Sequence, residues 1–455
     1  MISYMNINSN IFKSYDIRGA FPDEINAKIA YLIGRAYVKF LNKKNLKIVV
    51  SRDNRLSSKE IFKALVKGVT DQGADVIDIG LSPTPVFYFA VSHFKFDGGI
   101  NITASHLSAG YSGFKMVREE SIPLSGKSGL KEIKTILIKN KGQFSLKTEK
   151  GKIIKKQVLK EYIKFNFKDF NVKKMKALKI VIDVANAVPG ILLPYLKKEL
   201  PCKIYPLFEK SDGSFPNHSP DPLIKENLRV LIETVKNKKA DFGAALDGDG
   251  DRIIFVDEKG KVISGDLITA FLSQFILKEN PGVKILYDVR SSRSVREIIE
   301  RNGGKPIVWK VGHSLIKEKM RKENIFFAGE LSGHYYKMSY YFSEVPIFVL
   351  LKTLEILSLN KEKKLSQFIG SVEKYFHSGE INFKMKDKKE VMRKLERKFK
   401  KGKISKIDGL RIDFQDWWFL VRASNTENLL RMMVEADTKE LLDRKKKELT
   451  ALIID

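Results

Sequence analysis

The sequence predicts an α/β protein: three successive similar α/β domains with mixed sheets, then a smaller C-terminal α+β domain. Three observations carry this expectation. First, a Lys-led apolar strand ending in polar residues recurs three times, at 47–53, 179–183 and 284–288. Second, each copy runs into a helical stretch and a second short strand, at 75–80, 202–208 and 305–309. A third strand then closes each unit and opens into a polar loop, and strands alternating with helices imply crossover connections. Third, the pattern changes after about residue 367. Strands are expected there at 376–382, 408–414 and 416–422, with a Lys-rich helix among them and a closing helix at 438–454. The implied domains are 1–150, 151–255, 256–367 and 368–455.

Composition narrows the function classes. A chain of 455 residues suits three or four domains of about 100–150 residues each. The formal charge of +29 comes mostly from Lys spread along the whole chain. Its densest run, 383–406, mixes Lys with Glu and Asp at helical spacing, as a solvated helix does. No strip of stacking aromatics accompanies it, so nucleic acid is not an expected partner. A basic surface would still attract small anions. The single cysteine, Cys202, excludes an internal disulfide framework and fits a reducing compartment. The first ten residues lack a basic and apolar leader pattern. The apolar stretch at 345–351 is broken by Pro346 and ended by Lys352, too short for a bilayer. A cytoplasmic protein with no membrane partner is expected.

Three closing loops hold the chemistry. Asp247-Gly248-Asp249-Gly250-Asp251-Arg252 alternates carboxylates with glycines, which lets three side chains converge in a tight turn. Hard oxygen ligands without Cys or His suit Mg²⁺. The preceding apolar run 241–246 places this loop at the C-terminal end of a buried strand, where open α/β sheets hold their ligands. An EF-hand is excluded by the missing Gly and later Glu. In the loop of domain one, Ser105 and His106 leave a buried strand, and a Gly- and Ser-rich turn brings Lys115 back. Such a serine can carry a phosphoryl group if a cation offsets the charge. Taken singly, it also reads as an ordinary turn serine. The third loop is Gly329-Glu330-Leu331-Ser332-Gly333-His334.

Together these motifs resemble the α-D-phosphohexomutase family, most closely its phosphomannomutase/phosphoglucomutase branch. Tyr15-Asp16-Ile17-Arg18-Gly19 matches the opening motif, and Thr103-Ala104-Ser105-His106 the phosphoserine loop. The 247–252 loop matches the Mg²⁺ loop, and 329–334 the sugar-recognition loop. Lys310-Val311-Gly312-His313 matches a substrate-contacting segment, and Arg422-Ala423-Ser424-Asn425-Thr426 the loop for the non-reacting phosphate.

The resemblance implies that phospho-Ser105 transfers its phosphoryl group to a sugar monophosphate, giving a hexose 1,6-bisphosphate that turns over and rephosphorylates the serine. The same bisphosphate would activate the enzyme. Asp247, Asp249, Asp251 and Ser105 would hold Mg²⁺. Arg18, His106, Lys115, Arg252 and His313 would serve catalysis, with Lys115 as general base if nearby cations lower its pKa, and His313 second. Lys310, Glu330, Ser332, His334, Arg422, Ser424, Asn425 and Thr426 would bind the phosphosugar. A monomer or weak dimer is expected. The chain departs from the family pattern at Leu107-Ser108, where Asn-Pro is usual, at Ser343-Glu344-Val345, and at Asn428. Leu331 favours mannose and glucose phosphates over glucosamine phosphate, the alternative substrate. A basic binding protein on the same scaffold is the alternative from another class.

Overall fold

The computed structural model describes residues 8–126, 128–139, 144–145, 147, 149–360, 362–423 and 428–454. The chain divides into two compact units, Met1–Ile263 with His334–Ser366, and Ser264–Gly333 with Gln367–Asp455.

In the first unit, one six-stranded sheet has the spatial order Ile17–Ala20, Tyr111–Arg118, Gly98–Ile102, Lys47–Arg52, Asp75–Leu81, Ile153–Lys155. The last four strands are parallel, and Tyr111–Arg118 runs antiparallel to both of its neighbours, so the sheet is mixed. Ile48, Val49 and Val50 are buried to both faces, as a central parallel strand requires. Helix Ala27–Leu41 covers one face. It starts where the Asn26 side chain accepts from the Ile29 amide, and stops at Asn42, whose φ of +47° ends the helical path.

Register in this sheet arranges the chemistry. Ser51 lies opposite Asn101, Asn101 opposite Lys115, and Arg18 opposite Gly113. Opposed residues, and residues two apart on a strand, share a face. Ser51, Asn101, Lys115, Gly113 and Arg18 therefore form one continuous row.

The second sheet of this unit has the order Val262–Ile263, Ile253–Asp257, Phe242–Leu246, Lys179–Asp183, Lys203–Leu207. Ile253 pairs antiparallel with Leu246, so residues 247–252 form the loop of a hairpin rather than the start of a crossover. Helix Pro346–Leu359 also belongs here and is almost wholly buried. Among the described residues no helix is long and apolar enough to cross a membrane.

In the second unit, Lys284–Asp288 lies between parallel strands Lys305–Trp309 and Phe327–Gly329. Parallel strands end at one edge, so Arg290, Lys310 and Glu330 emerge from the same side of the sheet. The last sheet is antiparallel, with order Phe376–His377, Leu429–Ala436, Trp417–Ala423, Leu410–Asp413, Lys403–Ser405, and Ile381–Lys384 also on Leu429–Ala436. The strand expected at 376–382 is two short ones, split where Gly379 takes φ +70°. The Lys-rich helix is confined to Lys388–Lys398 and buries only Leu395. Helix Lys439–Ile454 closes the chain.

Candidate active site

Ser105 sits at the end of Gly98–Ile102 in a left-handed conformation, φ +54°, and is 2% exposed. A non-glycine residue holds that conformation only when its surroundings over-determine it. Here its amide donates to Thr103 Oγ1 at 2.9 Å, and its hydroxyl donates to Asp247 Oδ2 at 3.1 Å. His106 Nδ1 lies 3.3 Å from the same hydroxyl.

The three aspartates converge as the alternation predicts. Asp247, Asp249 and Asp251 are fully buried and bring carboxylate oxygens within 4.8 Å of one another. The turn is held from within, because Asp247 Oδ1 accepts the amides of Asp251 and Arg252 at 3.0 and 3.1 Å. Gly250 takes φ +67° at its tip. Gly248 is required by proximity, since a Cβ there would stand 2.4 Å from the Ser105 carbonyl oxygen. That closeness brings the aspartate loop onto the serine loop.

Charge inside the cluster is uneven. Lys115 Nζ lies 2.6 Å from Asp249 Oδ2 and also bonds Asp251 Oδ2. Burial alone would lower the Lys115 pKa, but Asp249 and Asp251 override it and hold it well above its ordinary value. Burial, then Asp251 and Asp249, push Asp247 well above the usual carboxylate range. Asp251 goes the other way, because Lys115 and then His334 outweigh its burial. His106 is held well below the usual imidazole range by burial, then by Arg252 and Arg18. Arg18 bonds Asp16, and Arg252 Nε donates to His334 Nε2 at 3.2 Å. Three buried carboxylates with hard oxygen donors fit a divalent cation, and buried Asp249 Oδ1 has no hydrogen-bond partner to compete with one.

The second unit carries a different set. Glu330 is 1% exposed and accepts the Gly312 amide at 3.3 Å, with Arg290 Nη2 3.7 Å away. Asp288 holds Arg290 through two side-chain bonds of 2.9 Å and accepts the Leu331 amide at 2.9 Å. His313 opens helix His313–Glu323 beside Lys310, and Ser332 follows Glu330. Arg422, at the end of Trp417–Ala423, faces Asp408 at 3.6 Å and Glu380 at 3.9 Å. Burial and then the like charge of Arg290 lower the Arg422 pKa. A guanidinium in that field favours an anion. Ser424, Asn425 and Thr426 lie outside the described residues.

Four family models match in succession over most of the chain. Phosphoglucomutase/phosphomannomutase alpha/beta/alpha domains I, II and III match residues 9–143, 160–260 and 264–375, and the C-terminal domain matches 380–452. The chain belongs to the phosphoglucomutase/phosphomannomutase family. It is an enzyme of this mutase family. A phosphomannomutase of Vibrio cholerae is 39% identical, covering 97% of this chain and 98% of its own. A phosphomannomutase of Methanocaldococcus jannaschii is 40% identical, covering 97% of each. The crystal structure of a phosphoglucomutase/phosphomannomutase family protein from Burkholderia thailandensis superposes with TM-score 0.90 at 33% identity, covering 98% of each chain.

Within this mutase architecture the first unit gathers Arg18, Ser105, His106, Lys115, the aspartates, Arg252 and His334, while the second holds Lys310, His313, Glu330, Ser332 and Arg422. Two expectations change. His334, read from the sequence as part of the sugar loop, lies with Arg252 and 3.3 Å from Asp251 Oδ1. Lys115 is flanked by carboxylates rather than by cations, so its pKa moves up instead of down. Leu331 packs against Val289, Trp418, Leu420 and Met433. Sequence reasoning missed three side chains. Arg290 braces Glu330, and Arg55 binds the serine loop. Thr84 donates to Asp249 Oδ2 at 2.5 Å while accepting from Asn101 Nδ2 at 2.8 Å. The phrase Ser51-Arg52-Asp53-Asn54-Arg55 at a strand end was the available signal for Arg55.

Proposed function

We propose that the protein is a Mg²⁺-dependent phosphohexomutase that interconverts the 1- and 6-phosphates of mannose and glucose through phospho-Ser105 and a hexose 1,6-bisphosphate. The observation that carries this reading is the Ser105 hydroxyl, 3.1 Å from Asp247 in a buried aspartate triad. The phosphomannomutases and the phosphomannomutase/phosphoglucomutase among its relatives support the substrate class.

Asp247, Asp249 and Asp251, with the Ser105 oxygen, would hold Mg²⁺. Bound there, Mg²⁺ would neutralise phosphoryl charge next to the serine. Transfer from phospho-Ser105 breaks the Oγ–P bond and forms a bond from phosphorus to a sugar hydroxyl oxygen; the hydroxyl proton goes to an acceptor that returns it to the departing Ser105 oxygen. Lys115 is charged while Asp249 and Asp251 hold it, so it serves as a counter-charge. His106, a neutral imidazole 3.3 Å from the serine oxygen, is the better acceptor in this arrangement. Arg18 and Arg252 supply positive charge for the transferring group. Glu330, backed by Arg290, and Ser332 would grip sugar hydroxyls in either orientation. Arg422 and Lys310 would hold the spectator phosphate.

The test is mutase turnover of the purified protein and its Ser105→Ala variant on mannose 1-phosphate and glucose 1-phosphate. Mg²⁺ and a trace of hexose 1,6-bisphosphate prime the serine. Turnover by the parent and its loss in the variant are expected. Equal turnover by both proteins would end the phosphoserine reading. Turnover on glucosamine phosphate alone would move the substrate class.

A further inference from the structure

Arg55 is a buried guanidinium that no reacting group uses, yet all of its donors are committed. Its Nε donates to Asp53 Oδ2 at 3.0 Å. Nη2 donates to the carbonyls of Ser105 and Leu107 at 2.8 and 2.6 Å. Nη1 donates to the carbonyls of Ser108 and Tyr111 at 2.5 and 3.2 Å. One planar fork thus spans four carbonyls of the serine loop, and its side chain is 0% exposed. Asp53 is fixed in turn by the Ser58 hydroxyl and the Arg55 amide, both on Oδ1. Phe215 lies against the guanidinium, with its ring centroid 5.1 Å away.

We propose that Arg55 is a positioning residue: it holds the Ser105 backbone in its left-handed conformation and so aims the serine oxygen at the aspartate triad. This rests on the phosphoserine reading of Ser105. The Ser105 carbonyl is gripped by Arg55 and approached by Gly248 of the metal loop. It cannot rotate without breaking the first contact or meeting the second. Because Arg55 binds carbonyls only, the grip does not depend on which side chains stand at 107 and 108. Leu107 and Ser108 can therefore occupy the turn without loosening it. Lysine cannot substitute, since an ammonium is a point donor and cannot bridge four carbonyls in one plane.

Three variants test this. Arg55→Lys keeps the charge. Asp53→Asn with Arg55→Met removes the pair together, so that no lone buried charge opposes folding. Arg55→Gly leaves Asp53 in place to receive added guanidinium ion. Folded Arg55→Lys and the double variant should each lose about a hundredfold in kcat with KM within about threefold of the parent, the pattern of misplacement rather than lost binding. Ser105 phosphorylation by glucose 1,6-bisphosphate, followed by intact mass, should slow in parallel. Amide hydrogen exchange should accelerate within 103–111 alone. Millimolar guanidinium should restore at least about tenfold of the kcat lost in Arg55→Gly.

Unchanged kcat with unchanged exchange in either folded variant overturns the proposal. So does exchange that rises throughout the unit, or a failure of guanidinium to rescue a folded Arg55→Gly. If the parent itself never phosphorylates Ser105, the phosphoserine reading falls. Exchange at 103–111 then still decides whether Arg55 holds the loop.

Discussion

Removing the Lys115 ammonium exposes how the aspartate triad is balanced. Lys115→Met keeps the length of the side chain and deletes its charge, leaving Asp249 and Asp251 buried without their cation. At 2.6 Å and an effective dielectric of about 20, one such attraction is about 6 kcal/mol gross. Desolvation cancels part of that, and removing one partner of a buried pair costs about 3–5 kcal/mol net. The raised Lys115 pKa means its contribution is fully present below the unfolded value and is lost only as pH rises through the higher folded one. Melts at pH 7.5 therefore report all of it. With EDTA, the variant should melt about 10 °C below the parent, taking roughly 2–4 °C per kcal/mol for a large domain. With saturating Mg²⁺ the deficit should shrink, because a cation then balances the same oxygens. Calorimetry should show Mg²⁺ binding at least about tenfold tighter in the variant, since no ammonium remains to be displaced. Equal stability in EDTA together with unchanged or weaker Mg²⁺ binding would refute both the charge balance and the triad as the metal site.

Three further outcomes follow from the geometry. Gly248→Ala puts a Cβ 2.4 Å from the Ser105 carbonyl oxygen and 3.1 Å from Pro220. The two loops must separate, so kcat should fall about a hundredfold with a modest loss of stability, and a variant within threefold of the parent would contradict that contact. His218 bonds Asp183, which raises its pKa despite burial, so its contribution is present below the unfolded value and lost as pH rises through the folded one. Denaturant melts of His218→Asn should show a deficit at pH 6 that shrinks by pH 8.5; a constant deficit would sink the linkage. Leu331→Gln places an amide against Val289 and Trp418, so urea melts should show a loss of about 1–2 kcal/mol. The ratio of mannose to glucosamine phosphate turnover should move less than about threefold, and a reversal of preference would mean that residue 331 meets the sugar.

The three repeats were legible because each copy puts an apolar strand before a polar loop, and a strand buried on both faces leaves a plain run of apolar residues. Phe242–Leu246 before the aspartates is the cleanest case, buried at every residue. The antiparallel strands were harder to see. Tyr111–Arg118 carries Tyr, Ser, Gly and Lys among its apolar residues, and its strand character comes from lying between two others rather than from its own composition. Leu429–Ala436 escaped notice because Arg431 and Glu435 interrupt its apolar run. Glu435 is nonetheless fully buried, held by the Trp418 indole at 2.6 Å and by Arg293. A charge inside a strand reads as a boundary until its partner is known.

The convergence of Ser105 and the aspartates was legible in the sequence, and the balance of charge around them was not. Ser105 and the aspartates occupy short motifs whose spacing announces convergence. Their supports are remote in sequence: Thr84 lies 165 positions from Asp249, Lys115 lies 134 positions from it, and Arg55 lies 50 from Ser105. Only sheet register brings Asn101 opposite Lys115 and Arg18 opposite Gly113, and only a closed fold places that row over the aspartate loop. This is why the sign of the Lys115 shift could not be read in advance. A lysine leaving a Gly-rich turn near arginines suggests a lowered pKa, whereas the same lysine between two buried carboxylates must stay charged. In the proposed mechanism the acceptor is therefore a group that the carboxylates do not hold charged, and next to Ser105 that is the neutral imidazole of His106, beside Arg252 and Arg18.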